Sequence, residues 1–160
     1  MSGSSYRSKM IVDLMPKLRL YLNADTSSSD VIQPGDLLEM KLADKTVILM
    51  DDDQPTSSSY KFIGISNSYW DPKMNDALLK KTIEVIGFCI VHAIMDSGTY
   101  VIGEAVEYSA ASDDGHLKSW QTGNQVVGWI WDVDPTQAVT GAHVLINVLD
   151  PSCKLLEVYS

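Results

Sequence analysis

The side chains that could perform acid–base, metal or nucleophilic chemistry are few in this sequence and far apart. Its three histidines are His92, His116 and His143, and no H-x-H or H-E-x-x-H spacing occurs among them. Those spacings put two imidazoles on one side of a strand or helix, where both can bind the same metal ion. A metal site in this chain would need residues from distant segments to converge in the fold.

The densest group of carboxylates is the run Asp51–Asp53. Calcium loops separate their acidic ligands by other residues, in the pattern D-x-D-x-D-G, and that pattern is absent here. Three adjacent carboxylates usually lie in a solvated loop, and the Ser-rich segment Thr56–Ser59 that follows also indicates a loop. We therefore predict no metal site in this segment.

The candidate nucleophiles lack the neighbours that would activate them. Ser66 in Gly64-Ile65-Ser66 has no glycine two residues beyond it, so the nucleophile elbow of hydrolases is missing. Cys89 and Cys153 form neither a CxxC pair nor a zinc-ligand pattern, and Cys89 alternates with apolar residues, which predicts a buried thiol. We predict no catalytic residue, no metal and no cofactor.

The composition is that of a single globular domain. Hydrophobic residues make up 45% and charged residues 21% of the 160 residues, and a chain of this length can fold without a disulfide or a metal. The longest apolar stretch, Ile83–Met95, contains Glu84 and His92 and is shorter than the ~20 residues of a membrane span. The polar segment Met1–Lys9 lacks the apolar region of a signal peptide. We expect synthesis in the cytoplasm and no membrane partner.

The charge is acidic overall and uneven along the chain. The net charge of −9 argues against nucleic acid as a partner, because phosphate contacts need clustered Lys and Arg. The first 20 residues carry +3 and the remaining 140 carry −12. A basic N-terminal segment on an acidic body could be attracted to an acidic partner surface, or it could be a solvated tail.

Short runs of β-branched and aromatic residues recur between turn signals along almost the whole chain, which is typical of sandwiches and barrels. The predicted strands are 17–22, 37–42, 46–50, 60–66, 82–88, 90–95, 100–102, 105–108, 126–131, 143–148 and 154–159. The predicted turns are Pro34-Gly35-Asp36, Ala43-Asp44-Lys45, Asp96-Ser97-Gly98, Asp113-Asp114-Gly115 and Thr122-Gly123-Asn124. A continuous strand over 82–95 would be unusually long, so we expect a kink or bulge near Gly87. Only Pro72–Lys81, after Asp71 as an N-cap, has helical spacing.

A series of motifs follows a fixed order through the chain. The segments are Ile32–Leu38, Phe62–Ser66, Ile83–Gly87, Tyr100–Tyr108, Asp114–Leu117, Asn124–Ile130 and Val144–Val148. This succession, which covers roughly Val31–Leu149, resembles the small β-barrel or β-tulip capsid decoration (cement) proteins of tailed phages. Glu104 and Ser66 stand where the family pattern more often has Asp and Ala.

The resemblance and the strand pattern together predict a mostly β, compact β-barrel or β-tulip-like single domain with one short helix and an extended N-terminal arm. Residues 1–16 would form the flexible arm and residues 17–160 the β-rich decoration domain. The resemblance implies a non-enzymatic homotrimer that binds the major capsid protein. It also implies a place on the outer capsid surface of the virion, where the protein stabilises the shell.

The N-terminal arm is the segment expected to bind the shell by strand addition, in which main-chain hydrogen bonds provide affinity and alternate side chains fill pockets. Its candidate contact residues are Tyr6, Arg7, Lys9, Met10, Ile11, Val12 and Leu14. Ordering such a segment costs roughly 1 to 2 kcal/mol per residue in conformational entropy. The alternative is that this segment forms the first strand of the barrel itself.

Four aromatic residues are candidates for subunit contacts. Trp129 and Trp131 lie two apart on a predicted strand and should share a face with Val127 and Val133, either in the core or as an interface anchor. Tyr69 and Trp70 precede Asp71-Pro72 in a predicted loop, where we expect a more exposed anchor. The tryptophan pair also supports a second class of function, a carbohydrate-binding or adhesin-like module. A third class is an enzyme whose residues are dispersed along the chain.

Overall fold

The computed structural model describes residues 9–10, 18–50, 59–74, 81–109 and 115–150. Eleven strands form in this part of the chain: β1 (Lys9–Met10), β2 (Arg19–Asn23), β3 (Leu37–Lys41), β4 (Val47–Leu49), β5 (Tyr60–Ser66), β6 (Thr82–Ile86), β7 (Phe88–Gly98), β8 (Ala105–Tyr108), β9 (Leu117–Ser119), β10 (Gly128–Asp132) and β11 (Val139–Asn147). The prediction of a mostly β protein is confirmed.

The predicted short helix over Pro72–Lys81 is not found in the described residues. Asp71 accepts the backbone N–H of Lys73 through its side chain at 2.8 Å and that of Met74 through its carbonyl at 3.1 Å. These bonds form a single turn, because a short acidic side chain offers the backbone an alternative to helical bonding. Residues 75–80 lie outside the described ranges.

The smaller sheet contains five antiparallel strands in the order β2-β6-β5-β3-β4. A bridge between Ala24, just after β2, and Val47 in β4 links its two edge strands. Leu20 and Leu22 pack against the core, whereas Arg19, Tyr21 and Asn23, which alternate with them, are exposed. The period of two along β2 therefore separates a buried from a solvated side, as expected for a strand with one buried side.

The larger sheet has the order β1-β7-β11-β10-β8-β9, and five of its strands close into a barrel because Met95 of β7 also pairs with Leu117 of β9. Along β7 and β11, every second side chain points into this barrel. The inward residues are Cys89, Val91, Ala93, Met95, Ala142, Val144 and Ile146. The predicted buried thiol at Cys89 is confirmed, while Cys153 lies outside the described residues.

Gly87 is the residue at which the chain leaves the smaller sheet and enters the barrel, since β6 ends at Ile86 and β7 begins at Phe88. The kink predicted here is confirmed. The Gly87 N–H donates to Leu18 O at 2.8 Å, and the Gly87 carbonyl accepts the N–H of Val148 at 2.9 Å. A Cβ at this position would lie 2.6 Å from Val148 Cγ2, so the crossing between the sheets needs glycine.

Three features of the strands differ from the predictions. The predicted turn at Asp96-Ser97-Gly98 lies inside β7, which pairs with β11 as far as Gly98 opposite Val139. The predicted strand at Tyr100–Ile102 is instead the start of a turn, and β9 was not predicted. Long-range pairing extended one strand beyond its local turn signal. The predicted strand 154–159 lies outside the described residues.

Of residues 1–17, the structure describes only Lys9 and Met10, which form β1. Lys9 and Met10 pair antiparallel with His92 and Val91, on the edge of β7 that β9 occupies further along at Met95. The other candidate arm residues, Tyr6, Arg7, Ile11, Val12 and Leu14, lie outside the described residues.

Asp25 lies two residues after the end of β2 and is buried at the edge of the smaller sheet. Its carboxylate accepts the Ser27 hydroxyl at 2.6 Å and the Ser27 backbone N–H at 2.8 Å, and the Lys41 ammonium at 3.0 Å. The Ser27 hydroxyl bond lowers the pKa of Asp25 most, assisted by its backbone N–H and by Lys41, while burial opposes the shift. The folded state therefore favours the ionised form.

We expect Asp25→Asn to destabilise the protein at neutral pH, and we expect this loss to shrink as the pH falls from about 5 to 3. The sign follows from the lowered pKa: the carboxylate stabilises the fold above its usual value of 3.8, and this contribution disappears as the pH falls through the folded value. Urea unfolding of both proteins at several pH values measures the difference. A loss that does not change with pH would contradict this assignment.

Candidate functional site

The outer face of the larger barrel carries a group of residues that strand pairing places at two levels. At one level Ile90, Leu145, Trp129 and Ala105 are successive partners across β7, β11, β10 and β8. At the next level His92, His143 and Asp132 are partners across β7, β11 and β10. Directly paired residues point to the same side of a sheet, so these side chains share the outer side of the barrel, where Ile90 is buried and His92 and Asp132 are exposed.

Trp131 is directed outward by a bulge. The pairing of β10 with β11 runs from Ile130 opposite Val144 to Asp132 opposite His143, which leaves Trp131 as an extra residue. Its side chain is 52% exposed, although Ile130 beside it is buried. Bulges commonly turn a side chain to a new direction beside functional sites. A local irregularity of the sheet therefore presents this tryptophan to solvent.

The two tryptophans of β10 do not lie in the core. Trp129 is half-buried beside its outer-face partners Leu145 and Ala105. The expected grouping with Val127 on one face is wrong, since Val127 is fully buried in the core. The alternation of side chains that this grouping assumed does not hold through the start of β10 and its bulge.

A second bulge lies opposite Ile130, next to the bulge at Trp131. The Gly103 N–H donates to Ile130 O, and the Ile130 N–H donates to Glu104 O, both at 2.8 Å. Gly103 and Glu104 therefore lie together opposite the single residue Ile130, and Gly103 has a φ of 86°. This is the pattern of a β-bulge that needs glycine at its first position. The bonds to Ile130 hold the turn before Gly103 beside the backbone of Trp131.

That turn exposes two aliphatic side chains. Val101 is 62% and Ile102 is 58% exposed, and the Glu104 carboxylate accepts the Val101 backbone N–H at 2.9 Å. Together with Trp131 they form what we call the apolar patch. Sequence reasoning missed Val101 and Ile102 because their β-branched side chains predict a strand, which would bury part of them.

Trp120 is a further exposed aromatic that sequence reasoning missed. Its backbone N–H donates to Ala105 O at 3.0 Å, and its indole Nε1–H donates to Asn124 O at 2.8 Å. Since Ala105 is also the partner of Trp129, the two tryptophans flank the same residue of β8. The turn signal at Thr122-Gly123-Asn124 was the clue that a fixed loop follows Trp120.

The buried carboxylate of Glu107 holds this region in place. Glu107 is fully buried in β8 and accepts the backbone N–H of Gln121 at 2.8 Å and the amide of Asn124 at 2.9 Å. Lys118 Nζ lies 3.4 Å from its Oε1. A buried charge must be paired and hydrogen-bonded to be tolerated, so these partners tie the turn that follows Trp120 to the barrel.

The predicted exposed pair Tyr69 and Trp70 is divided by the fold. Tyr69 is 54% exposed, in agreement with the prediction, but Trp70 is only 5% exposed and belongs to the core. Trp70 and Ile32 exchange two backbone bonds, of 2.8 and 2.9 Å, which hold this segment against the smaller sheet. The expectation that Trp70 is an exposed anchor is therefore wrong, because pairing with a distant segment draws it inward.

The third histidine, His116, lies in a separate polar network. Its Nδ1 is 3.3 Å from Asp96 Oδ1, and the buried Ser109 hydroxyl donates to the other oxygen of the same carboxylate. The carboxylate thus lies between serine and imidazole. A nucleophilic serine needs the imidazole next to its hydroxyl, so this order of contacts is that of a structural network.

In the described ranges, no group of three or more His, Cys, Asp or Glu side chains has an arrangement that could hold a metal ion. The same residues include no helix that is long and apolar enough to cross a membrane. The outer face of the larger barrel carries the apolar patch at its edge, where Val101, Ile102 and Trp131 are each more than half exposed. No protein-family model matches the sequence, and no curated protein matches it either.

Proposed function

We propose that this protein is a non-enzymatic capsid decoration protein of the β-tulip type. It binds the outer surface of a tailed-phage head, in contact with the major capsid protein, and stabilises the head as a homotrimer. The observation that carries this proposal is the apolar patch of Val101, Ile102 and Trp131, presented by two bulges of a closed barrel. The resemblance in motif order adds the class of partner.

The patch has the physical character of a protein contact. Aliphatic and indole groups that are more than half exposed favour burial against another apolar surface, and tryptophan is enriched at interface hot spots. The turn is held by backbone bonds to Ile130, so little conformational freedom is lost when it is covered. A prearranged surface of this kind suits binding through contact area.

The N-terminal arm is the second element of the proposed contact. Its residues carry a positive charge, whereas the rest of the chain is strongly acidic. Arg7 and Lys9 would meet acidic groups of the shell, and alternating apolar residues from Met10 to Leu14 would fill pockets during strand addition. Lys9 and Met10 are extended where they pair with β7, which also fits the alternative that this segment is a strand of the barrel sheet.

Association with expanded heads of the source phage, assembled without this protein, tests the proposal. We expect the intact chain to co-sediment with the heads, deletion of residues 1–16 to abolish association, and Trp131→Ala to weaken it. Tyr21→Ala is the matched control, because Tyr21 is 66% exposed on the smaller sheet and outside the patch. Sedimentation analysis of the bound and free protein measures the trimer.

Circular dichroism of each variant shows that a loss of binding is not a loss of folding. Association that persists undiminished after deletion of the arm would refute its role. If Trp131→Ala and Tyr21→Ala have equal effects, the apolar patch is not the contact surface. Absence of binding by the intact, folded chain would refute the proposed function as a whole.

A carbohydrate-binding or adhesin-like module is the second candidate, and exposure of Trp120 and Trp131 favours it. Sugar rings stack on indole faces because one face of the sugar ring presents apolar C–H groups that pack against the flat aromatic ring. A glycan array separates the two candidates. Binding to a defined glycan that Trp131→Ala and Trp120→Ala abolish, together with no association with heads, would replace the capsid proposal.

A further inference from the structure

Two histidines that lie 51 positions apart in the chain become direct neighbours on the outer face of the larger barrel. His92 of β7 and His143 of β11 are partners in the antiparallel register, and their ring centres are 5.5 Å apart with an angle of 69° between the planes. His92 is exposed, and the His143 side chain is 38% exposed. We propose that these imidazoles chelate one divalent transition-metal ion, such as Zn²⁺ or Ni²⁺.

The distance between the rings fits this role. With metal–nitrogen bonds of about 2.1 Å, and each ring centre about 1.1 Å beyond its nitrogen, a tetrahedral ion holds two imidazole centres about 5 Å apart. The observed 5.5 Å is therefore within a small side-chain adjustment of chelation. Neutral imidazole is a preferred ligand for zinc, copper and nickel, and water would complete the coordination.

Gly141 leaves room for the ring of His92 over the backbone of β11. A Cβ built at Gly141 would lie 3.2 Å from His92 Nε2 and 3.3 Å from Cε1. The ring thus lies over the backbone of β11, two residues before His143 on the same side of that strand. The absence of a side chain at Gly141 leaves the space that brings Nε2 of His92 close to the strand of His143.

Asp132 lies beside the second imidazole and could orient it when a metal binds. Its Oδ2 lies 3.6 Å from His143 Nδ1, and the two residues are partners across β10 and β11. A metal-binding histidine commonly offers its other N–H to a carboxylate, which selects the tautomer and increases the basicity of the ligand. At 3.6 Å this contact is longer than a hydrogen bond, and a closer approach of the carboxylate on metal binding would hold the proton of His143 on Nδ1 and leave Nε2 for the metal.

This site goes beyond the proposed function and does not depend on it. Calorimetric titration of the untagged full chain with ZnCl₂ or NiCl₂ at pH 7.5 is the test, because a polyhistidine tag would itself bind these ions. We expect one ion per chain, and no binding of Mg²⁺, which prefers oxygen ligands.

Variants locate the ion. His92→Ala and His143→Ala should each remove saturable binding, while His116→Gln, which changes the histidine in the separate network, should retain it. Asp132→Asn should weaken binding about tenfold, as expected for an outer partner of a ligating histidine.

Nuclear magnetic resonance of the imidazole groups gives an independent readout. Addition of Zn²⁺ should shift the signals of His92 and His143 and leave that of His116 in place. Two results would overturn the proposal: no saturable binding by the folded chain, or stoichiometric binding that survives in the double variant His92→Ala/His143→Ala. The second result would assign the ion to other groups.

Discussion

Replacement of Trp70 by alanine should lower the free energy of unfolding by about 3 to 5 kcal/mol, the range measured for large aromatic residues removed from a core. Trp70 is 5% exposed and packs within a cluster that spans both sheets. Its backbone is held by two bonds to Ile32, so the surrounding structure cannot easily collapse into the space left by the indole. Urea unfolding followed by circular dichroism measures the loss.

Two further tryptophan variants serve as comparisons for Trp70→Ala. Trp131→Ala should change the free energy of unfolding by about 1 kcal/mol or less, since half of this side chain is already in solvent. Trp70→Phe should cost less than Trp70→Ala, because Nε1 of Trp70 has no hydrogen-bond partner among the described residues and the phenyl ring retains much of the buried area. Equal losses for Trp70→Ala and Trp131→Ala would contradict the placement of Trp70 in the core. Trp70→Phe remains measurable even if the alanine variant fails to fold.

Gly64→Ala should destabilise the protein by about 3 kcal/mol or more, because it combines backbone strain with overpacking. Gly64 lies in β5 at a φ of 134°, a region that residues with a side chain rarely adopt. A Cβ there would overlap the carbonyl oxygen of Ile86 and lie 2.9 Å from its carbonyl carbon. Backbone atoms of the neighbouring strand β6 cannot move aside without breaking the sheet.

Gly123→Ala is the matched control for this prediction. Gly123 also has a positive φ, of 100°, but nothing lies within 4 Å of the position that its Cβ would occupy. Its replacement should therefore cost only the backbone term, about 1 to 2 kcal/mol. Thermal and urea unfolding of both variants compare the two costs. If Gly64→Ala is no more destabilising than Gly123→Ala, close approach of β5 and β6 does not constrain the fold.

The candidate site was only partly predictable from its residue types. Trp129 and Trp131 were identified as contact candidates from their spacing, but the choice between core and surface depended on a bulge that the spacing does not reveal. Trp120 was not predicted as a contact residue, because a single tryptophan before a turn has no periodic pattern. Val101 and Ile102 were assigned to a strand, since β-branched residues favour strands wherever tertiary contacts do not override them.

The contact between two of the histidines was also not predictable from the sequence. Their separation along the chain indicates scattered, unrelated residues, and for His116 this is what the structure contains. His92 and His143 nevertheless meet, because β11 pairs with β7 along nearly its whole length. Which residues become neighbours depends on which strands pair and in what register. A local sequence pattern does not specify either of these.

The sequence by itself determined the β-rich class and much of the strand placement. It predicted β5 and β8 at the residues where they occur and the kink at Gly87, because alternation, β-branching and glycine act over a few neighbouring residues. Only the tertiary structure decided which strands pair, that five of them close into a barrel, and that Trp70 is buried while Trp131 is exposed. The physical reason is that pairing and burial are settled by packing between segments distant in the chain, and local preferences yield to that packing.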